Sequence, residues 1–332
     1  MAAFTVPAEA RKADIPYAVA QAIAESPAPD GPEKVIVGAY INDIQQLDFK
    51  TNNYTLDLYV WFRWRSPELD PSKTMEFMNR YASDDNLRQE LMDAPERMPD
   101  GSLYSILRYE GRFSTKFHLE KYPFDTQGMT VIMEDTLSGA DSLIYVPDGE
   151  SPIAIDPVIT LPGFTVGKPV MQVTTKTYPT NFGDLSVADA EPYSRVVLSV
   201  PVTRPVVAMS IKAFVPIALI IVCASLVFFV RPLYVEGRIG LGITALLTLV
   251  ALQLSSTSSL PDVDYLMMLD KIYLLAYLFI ILALTRIVAT SWKGEDVSYQ
   301  DAITRTDRRW VFWLLLAYVA GNVIVAGTTL WA

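Results

Sequence analysis

One cysteine and one histidine are all that this 332-residue chain holds of the two most reactive side-chain types. Cys223 has no second thiol to pair with, so no intrachain disulfide forms and cysteine usage gives no clue to the redox compartment. His118 alone makes neither a metal-ligand spacing nor a nucleophile–base pair, and no glycine-rich phosphate loop is present. Little remains from which to build an enzyme. Positive charge is also scarce: 27 Lys and Arg stand against 37 Asp and Glu, a net −10, which argues against a nucleic-acid partner. The opening MAAFTVPAEARKADIPYAVA lacks an apolar core of signal-peptide length. Either a signal is missing from this sequence or residues 1–33 hold an unusual start.

Long apolar runs are absent up to residue 204 and then crowd together. They cover Val206–Val230, Ile239–Leu260, Tyr265–Ala289 and Trp310–Trp331. Each meets the roughly 20 residues needed to cross a hydrocarbon core of about 30 Å. The expected division is an extension and linker over 1–33, a soluble domain over 34–204 and a membrane domain over 205–332. Its spans are placed at 206–230, 236–260, 265–290 and 308–331. The soluble part carries net −11 and the membrane part +1. Arg231, Arg238, Arg286, Lys293, Arg305, Arg308 and Arg309 gather after the first and third spans. The positive-inside rule makes those connections cytoplasmic, which puts the soluble domain and the C-terminus outside.

Residues 1–33 read as a short helix around Tyr17–Ala24 followed by the SPAPDGP linker. Beyond them VIVGAYI and NYTLDLYVWFRW alternate with period two. Leu56, Leu58, Val60, Phe62 and Trp64 fall on one face, a core face. Thr55, Asp57, Tyr59, Trp61 and Arg63 fall on the other, whose two large aromatics a second subunit is expected to cover. Further strands are expected at 104–109, 111–119, 129–134, 153–161, 171–178 and 193–200, with a helix-like acidic piece around Asp84–Asp93. Short strands between Gly, Pro, Asn and Asp turns favour an antiparallel β-sandwich, here followed by a four-helix all-α transmembrane bundle.

The second span differs from a lipid-facing helix. At about 100° per residue, Glu236, Gly240, Thr244, Leu247, Ala251, Leu254 and Ser258 share one narrow arc. A carboxylate, then hydroxyls and small residues, then bulky aliphatics is what a water-filled pore asks of each lining helix: charge selects, and an apolar ring closes by dewetting. The plainer alternative is a packing helix whose small residues let neighbours approach.

Tyr122-Pro123-Phe124-Asp125-Thr126-Gln127 is similar to the aromatic-Pro-aromatic-Asp-x-Gln turn of the pentameric ligand-gated ion channels, the Cys-loop receptor superfamily. Arg204 ahead of the first span, Pro216 within it and Ser-Leu-Pro at 259–261 after the second also match, so the resemblance covers roughly residues 34–332. Animal members bracket the turn with a disulfide. The matching positions here are Thr115 and Met129, as in bacterial members.

The resemblance implies a homopentamer in the bacterial inner (plasma) membrane among membrane lipid, with the sandwich and the C-terminus in the periplasm. It implies a channel opened by a small-molecule agonist or by protons, and the Glu236 ring implies permeant cations unless Glu236 pairs with Arg231 or Arg238. Gating would pass through Asp48, Phe124, Asp125, Arg204 and Pro261, with Asp48 competing with Asp125 for Arg204. The agonist would sit between subunits among Tyr59, Trp61, Arg63, Tyr145, Tyr178, Phe182 and Tyr193, unless these aromatics are interface packing. The family's usual tryptophan is missing from EDTLSGADSLIYV, where Tyr145 is the only aromatic. No cofactor is expected beyond a modulatory divalent cation on Asp84, Asp85, Glu90 and Asp93, or on Glu134, Asp135 and Asp141. His118 reads as a surface residue. The rival function is a membrane-anchored receptor or scaffold that conducts nothing; it requires the polar stripe to be buried in helix packing.

Overall fold

The computed structural model describes residues 31–81, 86–183 and 191–330. The helix expected around Tyr17–Ala24 lies outside them. The chain runs β1 (Glu33–Asp48), β2 (Asn53–Trp64), a short α1 (Pro71–Thr74), β3 (Met75–Phe77), β4 (Leu87–Glu90), β5 (Glu96–Arg97), β6 (Leu103–Ser114) and β7 (Thr126–Asp135). It continues with β8 (Leu143–Pro147), β9 (Ile153–Ile155), β10 (Thr165–Val166), β11 (Val170–Thr177) and β12 (Pro192–Thr203). Four helices follow: α2 (Val206–Ser225, prolonged by a 3-10 turn, Leu226–Phe229), α3 (Val235–Thr257), α4 (Met268–Gly294) and α5 (Val297–Leu330).

Among the described residues the strands form two sheets. One is ordered β4-β6-β2-β1-β8, with β5 beside β6 and β9 beside β1; the other is ordered β10-β12-β7-β3, with β11 beside β12. Most pairings are antiparallel, but β1 runs parallel to β8 and β9, a feature that alternation alone does not reveal. The core face of β2 is as expected, with Leu56, Leu58, Val60, Phe62 and Trp64 all buried. Each such side chain contributes about 1.5–3 kcal/mol by leaving water. Gly38 lies opposite Trp61, where a Cβ would stand 2.2 Å from the indole, so glycine is what lets the ring lie across β1.

Three local expectations are corrected. Residues 87–90 form an edge strand on β6 instead of a helix, because Leu87–Glu90 pairs with Leu107–Glu110; Asp84 and Asp85 lie outside the described residues. The pieces expected at 104–109 and 111–119 are one strand that ends at Ser114, after which the chain turns toward the helices. The segment 153–161 keeps only Ile153–Ile155 as strand, since Asp156 and Pro157 break the ladder.

All four helices are long and apolar enough to cross a membrane. The third extends to Gly294 and the fourth begins at Val297, so the connection expected between them is almost entirely helical. No Gly or Pro interrupts Val297–Arg309, and the Asp296 carboxylate accepts from the Ser298 backbone N–H at the helix start. The helices share a second core built from Ile217, Ile221, Phe228, Leu249, Ile272, Tyr273, Phe279 and Ile280 with their neighbours.

Gly242 fixes how closely α3 and α4 pack, since a Cβ there would lie 2.4 Å from Leu284 Cδ2. Gly242→Ala is expected to destabilise the protein by about 1–3 kcal/mol through overpacking. Thermal melts should show partial recovery when Leu284→Ala is added; a double variant that melts no higher than the single one would show that this contact is not the cause.

Candidate functional site

The seven residues of the α3 stripe are all exposed on the isolated chain, Leu247 and Leu254 at 63% and 67%. The opposite face holds the helix to its own subunit: Arg238, Gly242, Ala245 and Leu249 are the buried residues of α3. The stripe is therefore not consumed by packing within one chain. The Thr244 hydroxyl donates to the Gly240 carbonyl at 2.8 Å, and Ser258 donates likewise to Ser255 at 2.9 Å. Back-bonding of this kind leaves the oxygen lone pairs free to meet water.

Glu236 stands in the first turn of α3 and, among the described residues, forms no ion pair. Arg238 points the other way, where its Nε donates to the Val227 carbonyl at 3.0 Å and its terminal nitrogen pairs with Asp307 of α5. Arg286 of α4 donates to the other Asp307 oxygen at 3.1 Å. The alternative in which Arg238 neutralises Glu236 thus gives way to a buried Arg–Asp–Arg group. Arg286 and Asp307 were missed as site residues, although an ionisable side chain inside an apolar helix is itself a signal that a partner is near.

The soluble and membrane parts meet at Tyr122–Gln127. Asp125 Oδ1 accepts from Arg204 Nε at 2.9 Å, and Asp125 Oδ2 accepts from Gln127 Nε2 at 2.6 Å. Both charged groups are buried, the side chains 2% and 10% exposed. The Arg204 guanidinium also lies over three rings, Phe49 at 4.4 Å, Phe164 at 4.7 Å and Tyr122 at 4.9 Å. Each such contact contributes about 0.5–2 kcal/mol. Asp48 does not compete: its carboxylate accepts from Thr51 in its own turn. Gln127 completes the motif by donating to the His118 carbonyl at 2.6 Å while its own oxygen accepts from the His118 N–H at 3.1 Å.

The same turn reaches the helices. Phe124 packs on Phe214 of α2 with centroids 5.8 Å apart. Partly buried Pro261 lies in the α3–α4 connection, whose Leu260 and Met267 join the sandwich core. The Leu119 N–H donates to the Tyr265 hydroxyl at 2.9 Å, and the Met268 N–H to the Glu120 carbonyl at 3.0 Å. His118 is a surface residue, its side chain 82% exposed.

The aromatic set divides. Tyr178 meets Phe182 at 5.3 Å and Tyr193 at 5.9 Å beside β11 and β12. Its hydroxyl donates to Glu134 at 2.8 Å and accepts from Arg195 at 3.0 Å. Burial and the neighbouring Glu134 carboxylate push the Tyr178 phenol up, so it stays a neutral donor. Tyr59, Trp61 and Arg63 belong to β2 of the other sheet. Tyr59 carries Arg108 over its ring at 5.6 Å, Trp61 Nε1 donates to Asp148 at 2.8 Å, and buried Arg63 pairs with the same carboxylate. The two groups lie on different sheets.

Tyr145 is a correction. It is buried against Phe62 inside the sandwich, where burial drives its phenol well above the usual range, and it faces no surface. Its place in β8 follows the inward half of the Leu143, Tyr145 alternation. In the second acidic set, Glu134 pairs with Arg195, and Asp135 accepts from Thr74 and Ser138. Among the described residues no three His, Cys, Asp or Glu side chains gather as a metal-binding group.

Removing one partner of the junction pair strands a buried charge, which costs about 3–5 kcal/mol. Arg204→Gln is expected to lower the thermal stability of the purified chain by that order, and adding Asp125→Asn to recover most of it. Equal melting of Arg204→Gln and wild type would contradict the burial described here.

No protein-family model matches the chain. It is similar to "pH-sensitive chloride channel 2" of Anopheles gambiae, 23% identical over 262 residues, or 71% of this chain and 42% of that one. It is similar to "Gamma-aminobutyric acid receptor subunit beta-4" of Gallus gallus, 23% identical over 272 residues, or 76% and 54%. A third relative is "Glutamate-gated chloride channel subunit beta" of Haemonchus contortus, 23% identical over 211 residues, or 64% and 47%. The chain spans about half the length of these curated relatives. They are channel or receptor subunits and not enzymes, in keeping with the poverty of catalytic side chains in this sequence. This chain folds as a β-sandwich followed by four apolar helices and is similar in sequence to ligand-gated channel subunits.

Proposed function

We propose that the chain is one subunit of a homopentameric ligand-gated channel that passes cations across the bacterial inner membrane. The sandwich and the C-terminus face the periplasm. The observation that carries this reading is the exposed stripe of α3, set against the buried face through which the same helix holds its own subunit. Around a common axis the stripe gives five Glu236 carboxylates at the cytoplasmic mouth, a wet stretch at Gly240 and Thr244, and an apolar gate at Leu247, Ala251 and Leu254. Asp125, Arg204, Phe124 and the Pro261 connection are the contacts through which the sandwich biases that gate. Asp48 has a lesser part, since it does not reach Arg204.

The stimulus is a small molecule held between neighbouring sandwiches by Tyr178, Phe182 and Tyr193 of one and Tyr59 and Trp61 of the next, or protons. The word "pH-sensitive" in one relative's name favours protons. The lack of a second cysteine, with Thr115 and Met129 at the bracketing positions, supports a bacterial origin.

A second reading is anion conduction, favoured by two relatives named as chloride channels. Against it stands an exposed Glu236 that forms no ion pair among the described residues, where Arg238 is turned away. The non-conducting receptor fits less well, because it needs the stripe buried. Reversal potentials of the reconstituted chain in asymmetric KCl decide among the three. Cation selectivity that weakens in Glu236→Gln is the expected result. A chloride-selective current insensitive to that change supports the second reading, and a change in assembly alone supports the receptor. Leu247→Ser hydrates the gate and is expected to raise spontaneous current; unchanged gating would remove Leu247 from the gate.

A further inference from the structure

Arg238 is an unexpected residue for a cation pore. It sits two positions after Glu236 near the inner end of α3, so an unrestrained guanidinium there would offset the carboxylate charge at the mouth. Two residues on a helix are about 200° apart, which sends Arg238 to the face opposite the stripe. There it is 1% exposed, as is its partner Asp307 on α5. Its Nε donates to the Val227 carbonyl in the 3-10 turn that prolongs the first span. Asp307 is shared with Arg286, which lies over Trp310 at 5.6 Å. One carboxylate therefore holds two guanidinium groups.

We propose, resting on the pore reading above, that Asp307 on the fourth span is a specificity-determining residue: it latches Arg238 against α5 and so leaves Glu236 as the charge that permeant ions meet. Asp307 touches no ion and acts through Arg238 as a positioning residue. The physical reason is the cost of an uncompensated buried charge. With Asp307 neutral, the buried Arg238 and the partly buried Arg286 face each other without a counter-ion. Arg238, three residues into α3 and long enough to reach water, relieves this by swinging to the inner mouth. Five released arginines there raise the local potential and admit anions.

The test uses the full chain, reconstituted, with two independent readouts. Asp307→Asn is expected to raise the chloride-to-potassium permeability ratio by about threefold or more at low salt. Arg238→Gln, which leaves Asp307 paired with Arg286, is expected to leave the ratio unchanged. The double variant Arg238→Gln/Asp307→Asn is expected to return to the wild-type ratio. In parallel, an arginine-specific dicarbonyl reagent followed by peptide mass spectrometry should modify position 238 in Asp307→Asn and spare it in wild type.

An unmodified Arg238 in Asp307→Asn overturns the latch, as does a shift of selectivity in Arg238→Gln alone, which would mean that Arg238 already faces the ions. If Asp307→Asn does not assemble, the Arg238→Gln ratio and the protection of Arg238 in wild type still decide the matter. Failure of the pore reading shows separately, as a wild-type chain that conducts nothing or is indifferent to Glu236→Gln; the modification of Arg238 then still tests the latch.

Discussion

The contact between Asp125 and Arg204 is the constraint on which the two halves of the molecule depend. A guanidinium just past the end of β12, two residues before the first membrane helix, has to be neutralised out of water. It is met by a carboxylate from the turn before β7 and by three aromatic rings, Phe49, Tyr122 and Phe164. Those rings come from three different loops, so the pair fixes the floor of the sandwich as a unit. Phe124 of the same turn packs on Phe214 of α2, which joins the sandwich floor to the helices.

Below that junction the hydrocarbon sets the rules. Backbone polar groups are satisfied within helices, which leaves side chains to decide how the helices face one another. On α3 the buried face is made of Gly242, Ala245 and Leu249, the first two small enough to let α4 approach closely, with Arg238 near the N-terminal end. What remains outward is a stripe of carboxylate, hydroxyl and aliphatic groups that lipid would not reward. The Arg–Asp–Arg group near the start of α3 costs desolvation, and apolar packing often stabilises such a place as well or better. A role in placing charge accounts for it.

Much of this was readable in the sequence because it rests on periodicity and on apolar length. The core face of β2, the four spans and the α3 stripe follow from period two, from run length and from the 100° step. The resemblance brought Asp125 and Arg204 to one junction, and opposite charge made them a pair, with Asp48 left as a competitor. What escaped depends on contacts distant in the chain. Parallel pairing of β1 with β8 leaves no local mark, and Tyr145 looks like a surface aromatic until β8 is seen to turn it inward. The acidic stretch before β5 resembled a helix, yet Leu87–Glu90 is captured by the edge of β6. The capture of Arg238 by Asp307, 69 residues later, was likewise hidden, although both are charges inside apolar segments.

The central claim is that the outward stripe of α3 lines water. It is tested most directly by replacing Cys223 and then placing single cysteines along 236–258 of the reconstituted protein, each exposed to a water-soluble thiol reagent. The account predicts modification at 236, 240, 244, 247, 251, 254 and 258, with positions 242, 245 and 249 silent. Uniform protection along the helix, or a reactive face centred on Gly242 and Ala245, would contradict it.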